Sequence, residues 1–235
     1  MNKTSSNKKI FIALDTNDIN KALALVEETK DFIVGIKIGL QFFLANGKKG
    51  VKELEKFSNL KIFLDLKLHD ISNTVSQAIK NLSDLKIDFL TIHSQGSKEM
   101  CLAANKMVKE SNPNINLLAV TVLTSMDDND VKLISNFKTS EEQVKNLAMI
   151  AKNSGLSGVI ASGRDIKMLR NLIGSEMKIF CPGIRLNNET HDQKKVVTYS
   201  EFLKESDENC FAVIGRPIYE GNPKENIKKI LDSAR

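Results

Sequence analysis

Short apolar runs recur along the chain at residues 10–14, 32–38, 62–66, 89–93, 117–123, 158–161, 179–181 and 211–214. Between most of them lie stretches whose apolar residues fall at helical spacing, such as 19–30, 74–85 and 141–152. Eight strand candidates alternating with helical stretches predict parallel β/α units. The rival architecture, a doubly wound open sheet, favours a glycine-rich first turn, but Asp15-Thr16-Asn17-Asp18 follows the first run. Eight units with polar residues at many strand ends predict an α/β fold of the (β/α)8 TIM-barrel type. No Pro/Gly/Ser-rich linker interrupts the alternation. One barrel domain over residues 9–235 is expected, behind a loose polar tail of residues 1–8.

The ends of the predicted strands carry the candidate chemistry. In Asp65-Leu66-Lys67-Leu68-His69-Asp70, period-two alternation sets Asp65, Lys67 and His69 on one face and the leucines on the other. Burying that charge requires partners for each group. Two readings are open: an ion pair that knits the barrel rim, or a reactive array. The first strand ends in Asp15 and the second reads Gly35-Ile36-Lys37-Ile38-Gly39, so two carboxylates and two ammonium groups converge from three adjacent strands. All sit at C-terminal strand ends, the face where barrel enzymes place chemistry. Gly35 and Gly39 are either plain strand glycines or room for a ligand beside Lys37.

The last two strands bring different residues. Pro182-Gly183-Ile184-Arg185 follows the seventh, and Gly215-Arg216 ends the eighth. Loops at these places in barrels often grip phosphate; glycine lets backbone N–H groups approach an anion and arginine closes a fork on it. The polar connector after Arg185, with His191 and Gln193, is either a solvated loop or a lid. Thr124 and Ser125, at the end of the fifth run, offer hydroxyls to a heterocycle or else cap the helix ahead of Asp127 and Asp128. His69 and His93 either line the site or are satisfied rim histidines.

Composition narrows the classes. The chain of 235 residues has a net charge of +5, but only five arginines, and its lysines are spread along presumed helix faces. That argues for a solvated surface rather than a nucleic-acid partner. No apolar run reaches the roughly 18–20 residues of a membrane span. The polar start has no signal core, so a cytoplasmic protein is expected. Cys101, Cys181 and Cys210 lack metal-ligand spacing and are expected as buried reduced thiols, with no metal site.

Asp65-Leu66-Lys67-Leu68-His69-Asp70-Ile71-Ser72-Asn73-Thr74 resembles the D-x-K-x-x-D-I-x-x-T signature of the orotidine 5′-phosphate decarboxylase family. The resemblance extends, in family order, through Asp15, Gly35 to Gly39, Leu123-Thr124-Ser125, Pro182 to Arg185, Asp192-Gln193-Lys194 and Val213 to Pro217. Thr198-Tyr199 departs from a frequent Thr-Pro, and Lys195 from a frequent arginine. The resemblance implies a cofactor-free lyase that converts orotidine 5′-phosphate to uridine 5′-phosphate and CO2, the last step of UMP synthesis. It implies that Lys67 protonates C6 of the pyrimidine within an array of Lys37, Asp65 and Asp70. Asp15 and Lys37 would hold the ribose, and Thr124, with Ser125, the pyrimidine. Arg185, Gln193, Gly215 and Arg216 would hold the phosphate. It also implies a homodimer in which Asp70 and Thr74 enter the site from the partner chain.

Three alternatives have distinct signatures. Magnesium-dependent decarboxylases or aldolases of keto-sugar phosphates share D-x-K-x-x-D, but those relatives carry an acidic metal ligand near the position of Lys37. A non-catalytic phosphate-binding barrel should show a degraded site, whereas both carboxylates and both lysines are present. A nucleic-acid-binding protein should bind duplex in a salt-sensitive way without nucleotide turnover.

Overall fold

The computed structural model describes residues 8–185 and 195–234. In chain order the elements are β1 (Ile10–Leu14), α1 (Ile19–Thr29), β2 (Gly35–Gly39), α2 (Leu40–Leu54), β3 (Lys61–Leu68), α3 (Ser72–Asn81), β4 (Phe89–His93), α4 (Lys98–Ser111), β5 (Asn116–Val120), α5 (Asp128–Ile134), α6 (Ser140–Asn153), β6 (Gly158–Ile160), α7 (Ile166–Ile173), β7 (Lys178–Cys181), β8 (Ile184–Arg185), β9 (Val197–Thr198), α8 (Tyr199–Glu205), β10 (Cys210–Ile214), α9 (Arg216–Tyr219) and α10 (Pro223–Asp232). Eight parallel strands close in the order β1-β10-β7-β6-β5-β4-β3-β2, the TIM barrel expected from the alternation. Short β8 and β9 pair with each other instead, Ile184 with Val197 and Arg185 with Thr198.

Alternation along each strand explains what fills the barrel. Ile10, Ile12 and Leu14 point outward into the layer shared with the helices. Phe11 and Ala13 point inward, as do Phe63, Phe89 and Phe180 from other strands. The ring of Phe11 meets those of Phe63, Phe89 and Phe180 at centroid distances of 6.1, 5.8 and 5.1 Å. Each of these buried rings contributes about 1.5–3 kcal/mol through the area removed from water. Gly35 makes room for this layer: a Cβ there would lie 2.4 Å from both the Phe11 ring and the Lys61 carbonyl. Of the two readings of that glycine, packing is the one realised.

Two expected strand boundaries shift for identifiable reasons. The second apolar run begins at residue 32, but Phe32 N–H bonds the Thr29 carbonyl and closes α1; sheet contacts begin with Val34 N–H to Ile10 O. The fifth apolar run extends to residue 123, but the ladder ends at Val120. Thr121 bonds Ile160 O through both N–H and hydroxyl, and the chain then turns, with Met126 N–H on Leu123 O. Cap chemistry resolves the helix that follows: Asp127 caps α5 in a reciprocal box with Asp130, so Thr124 and Ser125 are released from that role. Thr198 likewise caps α8 with Glu201, and Tyr199 is buried behind it.

Cys101, Cys181 and Cys210 are buried free thiols, as expected. The tail of residues 1–8 lies outside the described residues except for Lys8. Among the described residues, no helix is long and apolar enough to cross a membrane.

Candidate active site

Followed toward the C-terminal ends of the strands, the inward-facing positions change from aromatic to charged. β1 runs Phe11, Ala13, Asp15; β2 runs Gly35, Lys37, Gly39; β3 runs Phe63, Asp65; β4 runs Phe89, Thr91. The phenyl layer thus forms a dry floor under a cavity of about 200 Å³ whose walls include Asp15, Lys37, Asp65, Lys67, Thr124, Arg185, Gly215 and Arg216. Val120, Val122, Leu123, Ile160 and Val213 make its apolar side. With four cations against two carboxylates on the wall, the cavity suits an anionic ligand with a flat apolar part.

The charges alternate in sign. Lys37 Nζ lies 3.3 Å from Asp15 Oδ1 and 3.7 Å from Asp65 Oδ2, and Lys67 Nζ lies 2.8 Å from that same Oδ2. The second oxygen of Asp65 accepts from the Thr91 hydroxyl at 2.9 Å. Asp65 is 7% exposed. Burial alone would push its carboxyl up, but Lys37, Lys67 and the hydrogen bonds from Lys67 and Thr91 outweigh that and hold it below the usual carboxylate range. Gly39 belongs to the site: a Cβ there would lie 3.1 Å from Lys37 Nζ. Gly215 is as tight, with a Cβ reaching to 3.1 Å from Asp15 Oδ2.

The alternation predicted for β3 sets Leu64 and Leu66 in the outer layer and Asp65 and Lys67 in the cavity, but the strand is not regular to its end. Leu64 pairs with Leu90, but the next pair is Leu68 with Ile92, so the ladder slips between them. Inside that bulge Lys67 has a φ of 50°, left-handed for a residue with a Cβ. Such a backbone costs roughly 1–2 kcal/mol and persists where surroundings impose it, often beside reactive groups. Of the two readings of His69, the rim position is the one realised. The ring does not line the cavity beside Lys67; it is exposed at the rim and stacks on His93 at 5.1 Å. His93 Nδ1 accepts from Gln95 N–H, so the reading of a satisfied rim histidine is realised for it.

The phosphate candidates converge with one omission. Arg185 is 7% exposed and lines the cavity from β8, whose pairing with β9 holds it there. Gly215, which caps α9, and Arg216, its first residue, line the same cavity. Gln193 and His191 lie outside the described residues. Thr124 reaches the cavity, whereas Ser125 is exposed and outside it. Asp70 and Thr74 are exposed and do not line the cavity; Asp70 Oδ1 accepts from Ile71 N–H. Sequence reasoning assigned no role to Thr91 or to the apolar wall. A threonine two residues on from inward Phe89 in β4 was the available signal for the first.

Comparison with known proteins agrees with this geometry. The family model described as "Orotidine 5'-phosphate decarboxylase / HUMPS family" matches residues 8–230. An orotidine 5′-phosphate decarboxylase of Wolbachia pipientis is 39% identical, over 95% of this chain and 97% of the relative. One from Ehrlichia canis is 40% identical, over 95% of this chain and 96% of its own. The crystal structure of orotidine 5′-phosphate decarboxylase from Lactobacillus acidophilus superposes with a TM-score of 0.80 at 32% identity, covering 97% of this chain and 100% of the other. With a match spanning nearly the whole barrel and the charged array at its mouth, the chain belongs to the orotidine 5′-phosphate decarboxylase / HUMPS family.

Proposed function

We propose that this chain decarboxylates orotidine 5′-phosphate to uridine 5′-phosphate and CO2, without metal or organic cofactor, in the last step of UMP synthesis. The observation that carries the reading is the alternating row Asp15–Lys37–Asp65–Lys67 in a cavity that Arg185, Gly215 and Arg216 also line.

In this reading the C6–CO2 bond breaks heterolytically, CO2 leaves, and the electron pair stays at C6. No sink is conjugated to that carbanion, so the Lys67 ammonium stabilises it through space and then transfers one proton from Nζ to C6. Asp65 keeps the Lys67 ammonium aimed, at 2.8 Å from its Oδ2. It also crowds the substrate's carboxylate. At ~4 Å and an effective dielectric of ~20, the repulsion is about 4 kcal/mol and disappears as neutral CO2 departs. Binding of the phosphate by Arg185, Arg216 and the Gly215 backbone, together with Gln193, supplies energy to hold that arrangement. Asp15 and Lys37 engage the ribose hydroxyls, and Thr124 the pyrimidine edge.

Asp70 and Thr74 enter this scheme from a second copy of the chain. Three features support a homodimer. Both residues are exposed on one chain. Ile71 between them, at the N-cap of α3, is 71% exposed. Leu40 and Leu44 on α2 and Leu102 on α4 are also exposed, on elements that flank α3 in the barrel sequence. Large apolar side chains so exposed are suited to cover by another protein surface.

A magnesium-dependent reaction on a keto-sugar phosphate fits the residues less well. Lys37 Nζ stands between Asp15 and Asp65, the carboxylates a cation would need. The deciding experiment follows the loss of orotidine 5′-phosphate absorbance with purified protein, with and without EDTA. Turnover indifferent to EDTA is expected. Activity abolished by EDTA and restored by Mg²⁺ would overturn the metal-free mechanism, and no turnover at all would overturn the assignment.

A further inference from the structure

Thr91 sits at the middle inward position of β4, one step above Phe89, and is completely buried. Its Oγ1 donates to Asp65 Oδ1 at 2.9 Å and accepts from Lys67 N–H at 2.9 Å. A hydroxyl carries one proton and two lone pairs, so one group serves the carboxylate and the amide at once. The two bonds solve different problems. The first ties down one Asp65 oxygen and turns the other, Oδ2, toward Lys67 at 2.8 Å and Lys37 at 3.7 Å. The second gives a partner to the N–H of Lys67, where the β3–β4 ladder slips and the backbone is left-handed. An amide left without that partner would favour another backbone conformation, and the Lys67 side chain would leave with it.

We propose that Thr91 is a positioning residue for the decarboxylation, its single hydroxyl fixing together the Asp65 carboxylate and the strained backbone from which Lys67 extends. This inference rests on the decarboxylase reading above and adds a residue that touches no substrate. A threonine that only satisfies core polarity would affect stability alone; a positioning threonine affects the chemical step with little change in binding.

The test uses Thr91→Val, which keeps the shape and removes the hydroxyl, and Thr91→Ser, which keeps the hydroxyl and removes the methyl. For each, kcat and KM are measured with orotidine 5′-phosphate, the dissociation constant with uridine 5′-phosphate, and folding by circular dichroism. Thr91→Val is expected to lower kcat by about tenfold or more while KM and product affinity stay within about threefold. Thr91→Ser is expected to keep kcat within about threefold of wild type. A folded Thr91→Val with wild-type kcat, or a Thr91→Ser as impaired as Thr91→Val, would overturn the proposal. Should Thr91→Val not fold, Thr91→Ala is compared with Thr91→Ser: a lower kcat for alanine by about tenfold supports the role, and equal kcat overturns it. A wild-type chain inactive on orotidine 5′-phosphate is a different result, and removes the decarboxylase reading together with this inference.

Discussion

Lys67 Nζ lies 2.8 Å from Asp65 Oδ2, although the backbone that joins the two residues is not a regular strand. Side chains two apart on an ordinary strand stand about 6.6 Å from each other along it, at the mercy of their own rotamers. Here the left-handed backbone at Lys67 is held by a hydroxyl from the neighbouring strand, so the ammonium position is built into the barrel. In the proposed reaction this is the group that meets the carbanion, and the predictions begin with it.

Lys67→Ala is expected to lower kcat by roughly 10³-fold or more, since one substitution removes both the charge facing C6 and its proton source. The fold should survive, because Asp65 keeps Lys37 and the Thr91 hydroxyl. Steady-state assay beside a urea titration reads both quantities. A folded variant within tenfold of wild-type kcat would reduce Lys67 to a structural ion pair.

Arg216→Ala is expected to lower kcat/KM for orotidine 5′-phosphate by roughly 10²-fold or more, through loss of a charge-assisted contact to the phosphate. Orotidine without the phosphate should be processed alike by variant and wild type. Equal losses on both substrates would assign Arg216 a structural role at the head of α9.

Mixing two separately inactive proteins, Lys67→Ala and Asp70→Ala, tests the shared site. If one site joins Lys67 of one chain with Asp70 of the other, a mixed dimer has one intact site and one doubly damaged site. Random exchange makes about half of the dimers mixed, so activity should return to about a quarter of wild type. Verified exchange with no recovery would mean that each site draws both residues from one chain.

His93 predicts a component of acid sensitivity. Burial, with the neighbouring His69 and Lys67, pushes its pKa down to about 4 from an ordinary 6.5. In the unfolded chain this ring takes up a proton as pH falls through 6.5, while the folded ring stays neutral until about 4. Protons therefore favour unfolding across that window: the stability is fully present above pH 6.5 and is lost progressively down to about pH 4. Allowing for the solvent that reaches this half-buried ring, the loss is about 1–2 kcal/mol. Urea midpoints at pH 7 and pH 5 should differ less for His93→Asn, whose amide oxygen can still accept from Gln95 N–H. Identical pH dependence in the two proteins would contradict the assignment.

Sequence alone determined the barrel and most of its chemistry. Period-two and helical spacings are local properties, and eight alternations leave few topologies for parallel strands. The same local rule assigned Asp15, Lys37 and Asp65 to inward positions at strand ends, and the loops after the last two strands pointed to Arg185 and Arg216. The rule also put Lys67 beside Asp65, but not the slipped ladder there: no local pattern announces a bulge whose amide partner is Thr91, 24 residues onward. The pairing of β8 with β9 that holds Arg185 was equally silent, because two-residue strands have no period to read. Tertiary structure alone also separated Gly35, packed on Phe11, from Gly39, set against Lys37, and Thr124 in the cavity from exposed Ser125. The physical reason is common to these cases. Which residue types face inward is written in the spacing along one strand, whereas which atoms touch depends on register between strands, set by packing of the whole barrel.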